Sequence, residues 1–343
     1  MADGSSRMTA LSAWRDGLRR VNRAPAVLAG VWLTTLLIGA PLALVLRGMI
    51  VQHLGDSLEA NAAAVGANYD WMQEFADQAS GVGVTFKPTI IGSGAVLDNA
   101  SAFADNGARP MVIVGAASAY TALWIFLAGG ILDRYARDRA TRAYGFSAAA
   151  GVFFPRFLRL AIGQWIVYAV LFGWLHPYLF NRLFRRLTHD LTVERDAFAV
   201  RLGLYLVFGL VVAACALVFD YAKVRAVVED RRSMIGALGA AFRFVRRNPT
   251  AVPVFALNFL VFVGCLVLYA LVAPGARGSG AAVWWAFGIG QLYILARLWV
   301  KLTFWASATA LFQARLAHAG YVARPEAVWP DSPAAEAITP LVK

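Results

Sequence analysis

Charged residues are scarce in this chain, since Asp, Glu, Lys and Arg make up 15% of its 343 residues. A soluble domain carries about 25% charged residues, so this deficit, together with a hydrophobic content of 59%, indicates a surface that faces lipid. The chain also has only two cysteines, Cys215 and Cys265, and both fall within apolar runs. This placement argues against a disulfide framework and against a cysteine-based zinc site.

Patterns typical of catalysis or metal binding are missing from the sequence as well. The four histidines, at positions 53, 176, 189 and 318, lack the spacing of metal ligands. We find no ordered Ser–His–Asp set and no phosphate-binding glycine loop, and the acid–base grouping left for an intramembrane enzyme is His189 with Asp190 or Glu194. The sequence therefore predicts a protein that is not an enzyme and that has no cofactor and no metal.

Six long apolar segments are what the chain does have. A helix needs roughly 20 apolar residues to cross the core of a bilayer, and six segments reach this length: 26–50, 111–132, 157–180, 202–222, 251–273 and 284–316. The first is too long for a cleavable signal, whose apolar core has about 7–15 residues. We predict an all-α polytopic membrane protein with six transmembrane helices in three hairpins.

Basic residues alternate between the two sides of these segments. Five precede the first segment, six lie in the second connection or just after it (the last is Arg159) and seven in the fourth, whereas the first connection (51–109) has two and the fifth has one. Because Lys and Arg collect on the cytoplasmic side, we expect both termini to be cytoplasmic in a bacterial inner membrane. The connection 181–201 is an exception, because it holds five arginines and is assigned to the outside only to keep six spans.

The expected organisation is a cytoplasmic tail with an interfacial helix over 1–24, a membrane domain over 25–322 and a second cytoplasmic tail over 323–343. The net charge of +12 lies next to apolar spans, which favours anionic membrane lipids as partners over nucleic acid.

An internal repeat relates two of the cytoplasmic connections. A shift of 87 residues places Asp133 on Asp220 and Arg156 on Arg243. The N-terminal tail has a similar character, with an apolar helical face opposite its arginines formed by Leu11, Trp14, Leu18 and Val21. Amphipathic basic helices of this kind lie in the membrane interface, so we predict three units, each an interfacial helix followed by a hairpin. The alternative is that any cytoplasmic boundary collects arginine and aromatic residues.

The external segment 51–109 is too long for a simple turn. Apolar residues recur every seven positions at Leu58, Val65, Met72 and Ala79, which predicts one helix with a continuous apolar face. A second apolar stretch begins at residue 88 and ends near Leu97. The segment is interpreted as a cap on the outer ends of the spans, or as a surface for a protein partner or a second copy of the chain.

Charged residues within or beside the spans supply the candidate sites. Arg297 and Lys301 lie one helical turn apart in the last segment. If the helix continues to Arg315, they lie within the hydrocarbon core, face the bundle or a wet cavity, and form an anion or lipid-headgroup site. If the span ends at Lys301 and 302–316 follow the interface, both cations reach the cytoplasmic surface. Asp133 and Asp220 are predicted to form structural ion pairs at the span ends with neighbouring basic residues, namely Arg134, Arg137, Lys223 and Arg225.

Two stretches resemble the membrane domain of glycerophosphoryl diester phosphodiesterases and related uncharacterised bacterial proteins. The first is residues 219–230 (FDYAKVRAVVED), followed by Ala237-Leu238 and Phe242-Arg243. The second is residues 310–316 (ALFQARL), followed by Gly320-Tyr321, with Gln313 at a position where the family commonly has an acid. The resemblance covers residues 111–322 and implies the membrane module alone, because the family's activity resides in a separate soluble domain.

The function expected from these features is that of a non-enzymatic membrane module that associates with lipid, with partner proteins or with both. The alternative is a transporter or lipid-handling protein, with the anion site at Arg297 and Lys301 and with helix breaks at Pro41, Pro177 and Pro253.

Overall fold

The computed structural model describes residues 8–66, 68–87, 89, 92–275 and 280–318, and all regular elements in this part of the chain are helical. Six helices are long and apolar enough to cross a membrane, so the predicted all-α polytopic fold is confirmed. The described residues form two compact units. Unit 1 is drawn from Met1–Pro25, Ala122–Asn258 and Leu302–Lys343, and unit 2 from Ala26–Thr121 and Phe259–Lys301.

The first half of the chain contains two of the six long helices. Helix α1 (Ala10–Asn22) precedes the long α2 (Pro25–Asp56). Three short helices follow, α3 (Ala60–Val65), α4 (Tyr69–Gln78) and α5 (Gly94–Ala104), and the second long helix is α6 (Met111–Arg137). Helix α1 begins after Thr9, whose hydroxyl accepts a hydrogen bond from the backbone N–H of Ser12 and so satisfies one of the free amides of the first turn.

The second half contains the other four long helices. Helix α7 (Ala143–Val170) continues through π-helical turns at Leu171–Leu175 and Tyr178–Leu183 into α8 (Phe184–Thr188). Helices α9 (Glu194–Val228), α10 (Met234–Arg247), α11 (Ala251–Val272) and α12 (Ala281–His318) follow. The π-helical turns lie on either side of Pro177, which lacks the N–H for one hydrogen bond of the helix.

Several spans are longer than the bilayer requires. Helix α9 has 35 residues, which at a rise of 1.5 Å per residue corresponds to about 52 Å, against a hydrocarbon core of about 30 Å. The predicted connection 181–201 is largely helical, because α8 ends at Thr188 and α9 begins at Glu194, and its assignment to the outside stays a prediction. Three of its five arginines therefore lie on the preceding helix and two on α9.

The prediction of three separate interfacial helices is wrong for the second repeat unit. Helices α1 and α10 are separate helices that precede a span, as expected. The equivalent stretch around Arg156 is instead part of the continuous helix Ala143–Thr188. An Asn-Pro-Thr sequence ends α10 at Arg247, whereas the helix simply continues past Pro155. The expected break at Pro41 is also wrong, because α2 includes this proline.

The single helix predicted from the seven-residue spacing of Leu58, Val65, Met72 and Ala79 is wrong as well. Helix α3 ends at Val65, and Gly66 is fully extended, with φ 175° and ψ −167°. A new helix then starts at Asn68, whose side chain accepts a hydrogen bond from Trp71 N at 2.8 Å. Residues 88, 90 and 91 of the predicted second apolar stretch lie outside the described residues.

Helix α4 supplies one apolar cluster of unit 2. Trp71, Met72 and Phe75 are buried and pack against the end of α2, at partly buried residues that include Leu46 and Met49. This packing agrees with the interpretation of the segment as a cap on a span end.

Candidate functional site

The central feature of unit 1 is the second part of α12. All residues from 302 to 312 except Phe304 are buried, and five consecutive positions, 306–310, are Ala, Ser, Ala, Thr and Ala. Small side chains of this kind let neighbouring helices approach closely in a membrane protein. We call residues 302–312 the hub segment, because helices α1, α6, α9, α10 and α11 contact it or the residues that immediately follow it.

Ser307 shows how close this approach is. A Cβ atom placed on Gly17 of α1 would lie 2.6 Å from the backbone nitrogen of Ser307, so α1 can rest on the hub segment only because residue 17 is glycine. The Ser307 hydroxyl donates to the carbonyl of Thr303 at 2.7 Å and accepts from Asn258 Nδ2 of α11 at 2.9 Å. The buried hydroxyl is therefore satisfied while it joins α11 to α12.

Arg20 of α1 holds the end of α6. One of its terminal nitrogens donates to the carbonyl of Tyr135 at 2.7 Å and to Gln313 Oε1 at 2.7 Å. Its other groups pair with Asp16, at 2.9 Å, and the two side chains are only 11% and 12% exposed. The carbonyls of the last helical turn lack partners within their own helix, and a cation near them is electrostatically favourable.

Gln313 completes this contact through both ends of its side-chain amide. While its Oε1 accepts from Arg20, its Nε2 donates to the carbonyl of Ala136 at 2.7 Å. A carboxylate can accept but, when ionised, cannot donate. An acid at position 313 could therefore pair with Arg20 but could not hold Ala136, and glutamine does both.

Asp220 on α9 joins a second polar contact on the hub segment. Its Oδ1 accepts from Trp305 Nε1 at 3.1 Å and pairs with Lys223 Nζ at 3.1 Å. The ammonium of Lys223 also lies 5.6 Å from the centre of the Trp305 ring, a cation–π contact. Trp305 packs edge-to-face on Trp124 of α6 with ring centres 5.6 Å apart, so one indole connects α6, α9 and α12.

Asp133 pairs with Arg137 one turn further along α6, at 2.8 Å, with both side chains 10% exposed or less. Asp133 and Asp220 thus each pair with one of the basic residues predicted from the sequence. Their surroundings differ, because the two oxygens of Asp133 both accept from Arg137, whereas Asp220 also accepts from an indole on another helix.

The acidic pair at the end of the family-like segment is also engaged. Glu229, whose side chain is 3% exposed, accepts from Arg225 and Arg231 at 2.7 Å each. Asp230 ends the helix in a left-handed conformation, with φ 49°, and pairs with Arg156 of α7. Glu229 therefore pairs with two arginines near the end of α9, and Asp230 connects this end to α7.

Arg297 and Lys301 lie on the part of α12 that belongs to unit 2. The helix continues past Lys301 to His318, so the placement in which the helix ends at Lys301 is wrong. Both side chains are exposed within unit 2, and an anion or headgroup site at these two residues stays a prediction. The Arg297 guanidinium lies 5.5 Å from the centre of the Tyr293 ring, which stacks on Tyr269 at 3.9 Å.

The remaining acid–base grouping lies on the surface. His189 Nδ1 is 2.7 Å from Asp190 Oδ1, and the two side chains are 81% and 95% exposed. Among the described residues, no group of three or more His, Cys, Asp and Glu side chains is placed to hold a metal ion.

Sequence reasoning identified the two span-end aspartates but missed the contacts that organise unit 1. Gly17, Arg20 and Ser307 were not predicted to have a role. The run of small residues at 306–310 was the available signal, since such runs are typical of close helix contacts. No known protein-family model, curated protein or solved structure matches the chain, so its function must be argued from its own residues.

Proposed function

We propose that this protein is a non-enzymatic module of the bacterial inner membrane, with both termini cytoplasmic, that associates with anionic lipid. The observation that carries the proposal is a division of the polar groups in unit 1. The acids at the span ends, with their basic partners, are used in contacts within and between helices, whereas the arginines on the outer faces of α1 and α10 remain exposed beside exposed apolar side chains.

Helix α10 shows this division best. One face is buried through Met234, Ala237, Ala240 and Ala241. Elsewhere on the helix, Ile235 is 88% exposed and Phe242 is 58% exposed, and the exposed arginines are Arg243, Arg246 and Arg247. Because α11 begins at Ala251, only three residues separate this basic end from a membrane span. Apolar side chains flanked by arginine at that position suit insertion among anionic headgroups.

Helix α1 has the same arrangement before the first span. Ala13, Gly17 and Val21 are buried, while Leu11 is 43% exposed and Arg15, Arg19 and Arg23 are exposed. Some apolar side chains of α1, such as Val21, are thus buried in the protein, while Leu11 is exposed. Each arginine near an anionic membrane surface contributes about 1 kcal/mol of attraction. Arg19 and Arg23 pair with Asp16 and Asp138, so Arg15 and the three exposed arginines of α10 provide the preference for anionic lipid.

Lipid binding can be tested by native mass spectrometry of the full chain with phosphatidylglycerol and phosphatidylcholine. We expect the wild type to retain phosphatidylglycerol selectively and the triple variant Arg243→Gln, Arg246→Gln, Arg247→Gln to lose that selectivity. The matched control replaces Arg182, Arg185 and Arg186, at the opposite end of a span, and should keep it. Equal selectivity in wild type and triple variant would contradict the proposal.

The orientation needs its own test, in a background with Cys215→Ser and Cys265→Ser. Ser12 and Ser80 are exposed and lie on opposite sides of the first span. A membrane-impermeant maleimide should label Ser80→Cys in intact spheroplasts and Ser12→Cys only after lysis. The reverse pattern would contradict cytoplasmic termini.

A second candidate function is a phosphate or headgroup site at Arg297, which would make the protein a lipid-handling protein or a transporter. The observation that favours it is the stacked series of Arg297, Tyr293 and Tyr269, which fixes the direction of an exposed guanidinium near Lys301. Arg297→Gln should then lower anionic-lipid retention while Arg15→Gln, on α1, has a smaller effect. Unchanged retention in Arg297→Gln would contradict this second function.

A further inference from the structure

A groove in unit 2 lies between the end of α2 and the short helix α4. It has a volume of about 420 Å³, which falls within the range of small-molecule sites. Four of its lining residues share one face of α2, at Met49, Gln52, His53 and Asp56, and the other four come from α4 and the residue after it, at Glu74, Phe75, Gln78 and Ala79.

The floor of this groove is fixed by packing. Phe75 is 2% exposed and meets the His53 ring edge-to-face with ring centres 5.3 Å apart. Met49 packs closely on Gly83, where an added Cβ would lie 2.8 Å from the Met49 methyl carbon. The groove therefore combines an apolar, aromatic floor with polar side chains at its rim.

The charge in the groove is negative. Trp71 Nε1 donates to His53 Nδ1 at 3.1 Å, because an indole nitrogen can only donate. Asp56 and Glu74 are carboxylates, and the eight lining residues include no lysine or arginine. Glu74 Oε2 accepts from Ser57 Oγ at 2.9 Å, which anchors this carboxylate at the rim.

We infer that this groove binds a small organic cation that carries an alkylammonium group. Two carboxylates attract the ammonium, the two glutamine amides supply further hydrogen bonds, and the Phe75 ring with the Met49 thioether contacts the alkyl portion. A bare metal ion fits less well, because no group of three ligating side chains comes together among the described residues. The surrounding segment strengthens the attraction, since residues 51–109 carry seven acids against Lys87 and Arg109.

The inference can be tested by calorimetric titration of 1,4-diaminobutane into the full chain in phosphatidylcholine nanodiscs, which lack net lipid charge. We expect saturable binding that weakens about tenfold in Glu74→Gln and in Asp56→Asn, as for loss of one charged hydrogen-bond partner. The double variant should show no saturable binding. Asp77→Asn is the matched control, because Asp77 is exposed on the same helix but does not line the groove.

Ser57→Ala tests the anchoring of Glu74. It removes the hydrogen bond to Glu74 Oε2 but keeps both carboxylates, so binding should weaken by less than in Glu74→Gln. Absence of saturable binding in the wild type would overturn the inference, and so would an equal loss in Asp77→Asn, which would indicate diffuse attraction. Displacement of the diamine by calcium chloride, with calcium binding lost in Glu74→Gln, would replace the organic cation with a metal ion and also overturn it.

Discussion

The two parts of α12 differ in their surroundings although they form one continuous helix. In residues 281–301, Trp284 and Trp285 are each 75% exposed and Leu292 is 67% exposed. In the hub segment, Leu302 and Leu311 are fully buried and Trp305 is 5% exposed. Both parts are apolar, so hydropathy does not distinguish them. The hub segment differs in its run of small residues at 306–310, which suits close contact with other helices.

The largest expected effect compares the same residue type in the two parts. Trp305→Ala removes a buried indole that packs on Trp124 and donates to Asp220, and should lower the free energy of unfolding in detergent micelles by about 3–5 kcal/mol. Trp285→Ala removes an exposed indole and should change it by less than about 0.5 kcal/mol. Similar losses in the two variants would remove the distinction between the parts.

The next effect tests the contact between α1 and the hub segment. Arg20→Met keeps a long side chain but leaves the carbonyl of Tyr135 and Gln313 Oε1 without this donor and leaves Asp16 paired with Arg19 alone, so the free energy of unfolding should fall by about 3 kcal/mol. Arg15 is exposed on the same helix, and Arg15→Met should be neutral in the same unfolding assay. A neutral Arg20→Met would show that α1 does not depend on this contact.

A smaller effect is expected from glycine substitutions on the first two helices. Gly17→Ala places a methyl group against the backbone of Ser307, and overpacking of this kind costs about 2 kcal/mol. Gly39→Ala is the matched control, because a Cβ there meets nothing within 4 Å; it should be neutral or slightly stabilising. The comparison fails if the thermal midpoint of Gly17→Ala equals that of Gly39→Ala.

The smallest effect concerns the family-like position. Gln313→Glu keeps the pairing with Arg20 but removes the donor to the carbonyl of Ala136, so we expect a loss of about 1 kcal/mol at neutral pH. Gln313→Met removes both hydrogen bonds and should lose more. Greater stability of Gln313→Glu than of wild type would show that the acid common in the family is preferred here as well.

Much of the fold was predictable because a membrane span is encoded locally. An apolar run long enough to cross a bilayer is visible in one window of sequence, and all six were identified. The breaks were not predictable in the same way. Gly66 ends α3 and Asn68 starts α4, yet the seven-residue spacing continues across both. Proline was equally ambiguous, since α2 runs through Pro41 while π-helical turns flank Pro177.

The candidate site was only partly predictable, because its contacts are distant in sequence. Asp220 could be identified as a charge at a span end, with Lys223 three residues away. Its contact with Trp305 depends on the packing of α9 against α12, which no local pattern specifies. The pairing of Arg20 with Gln313, 293 positions apart, is of the same kind. Arg297 could be identified as a charge in an apolar run, but its contact with the Tyr293 ring was not predicted.

The most direct test of the central claim is photocrosslinking of the unmodified protein in nanodiscs whose lipids carry a diazirine on the acyl chain, followed by mass spectrometry of α12. Lipid adducts should map to residues 281–301, including Leu292, and be absent from the hub segment, residues 302–312. Adducts at equal density in both parts would contradict the claim that one half of this helix faces lipid while the other is enclosed by protein.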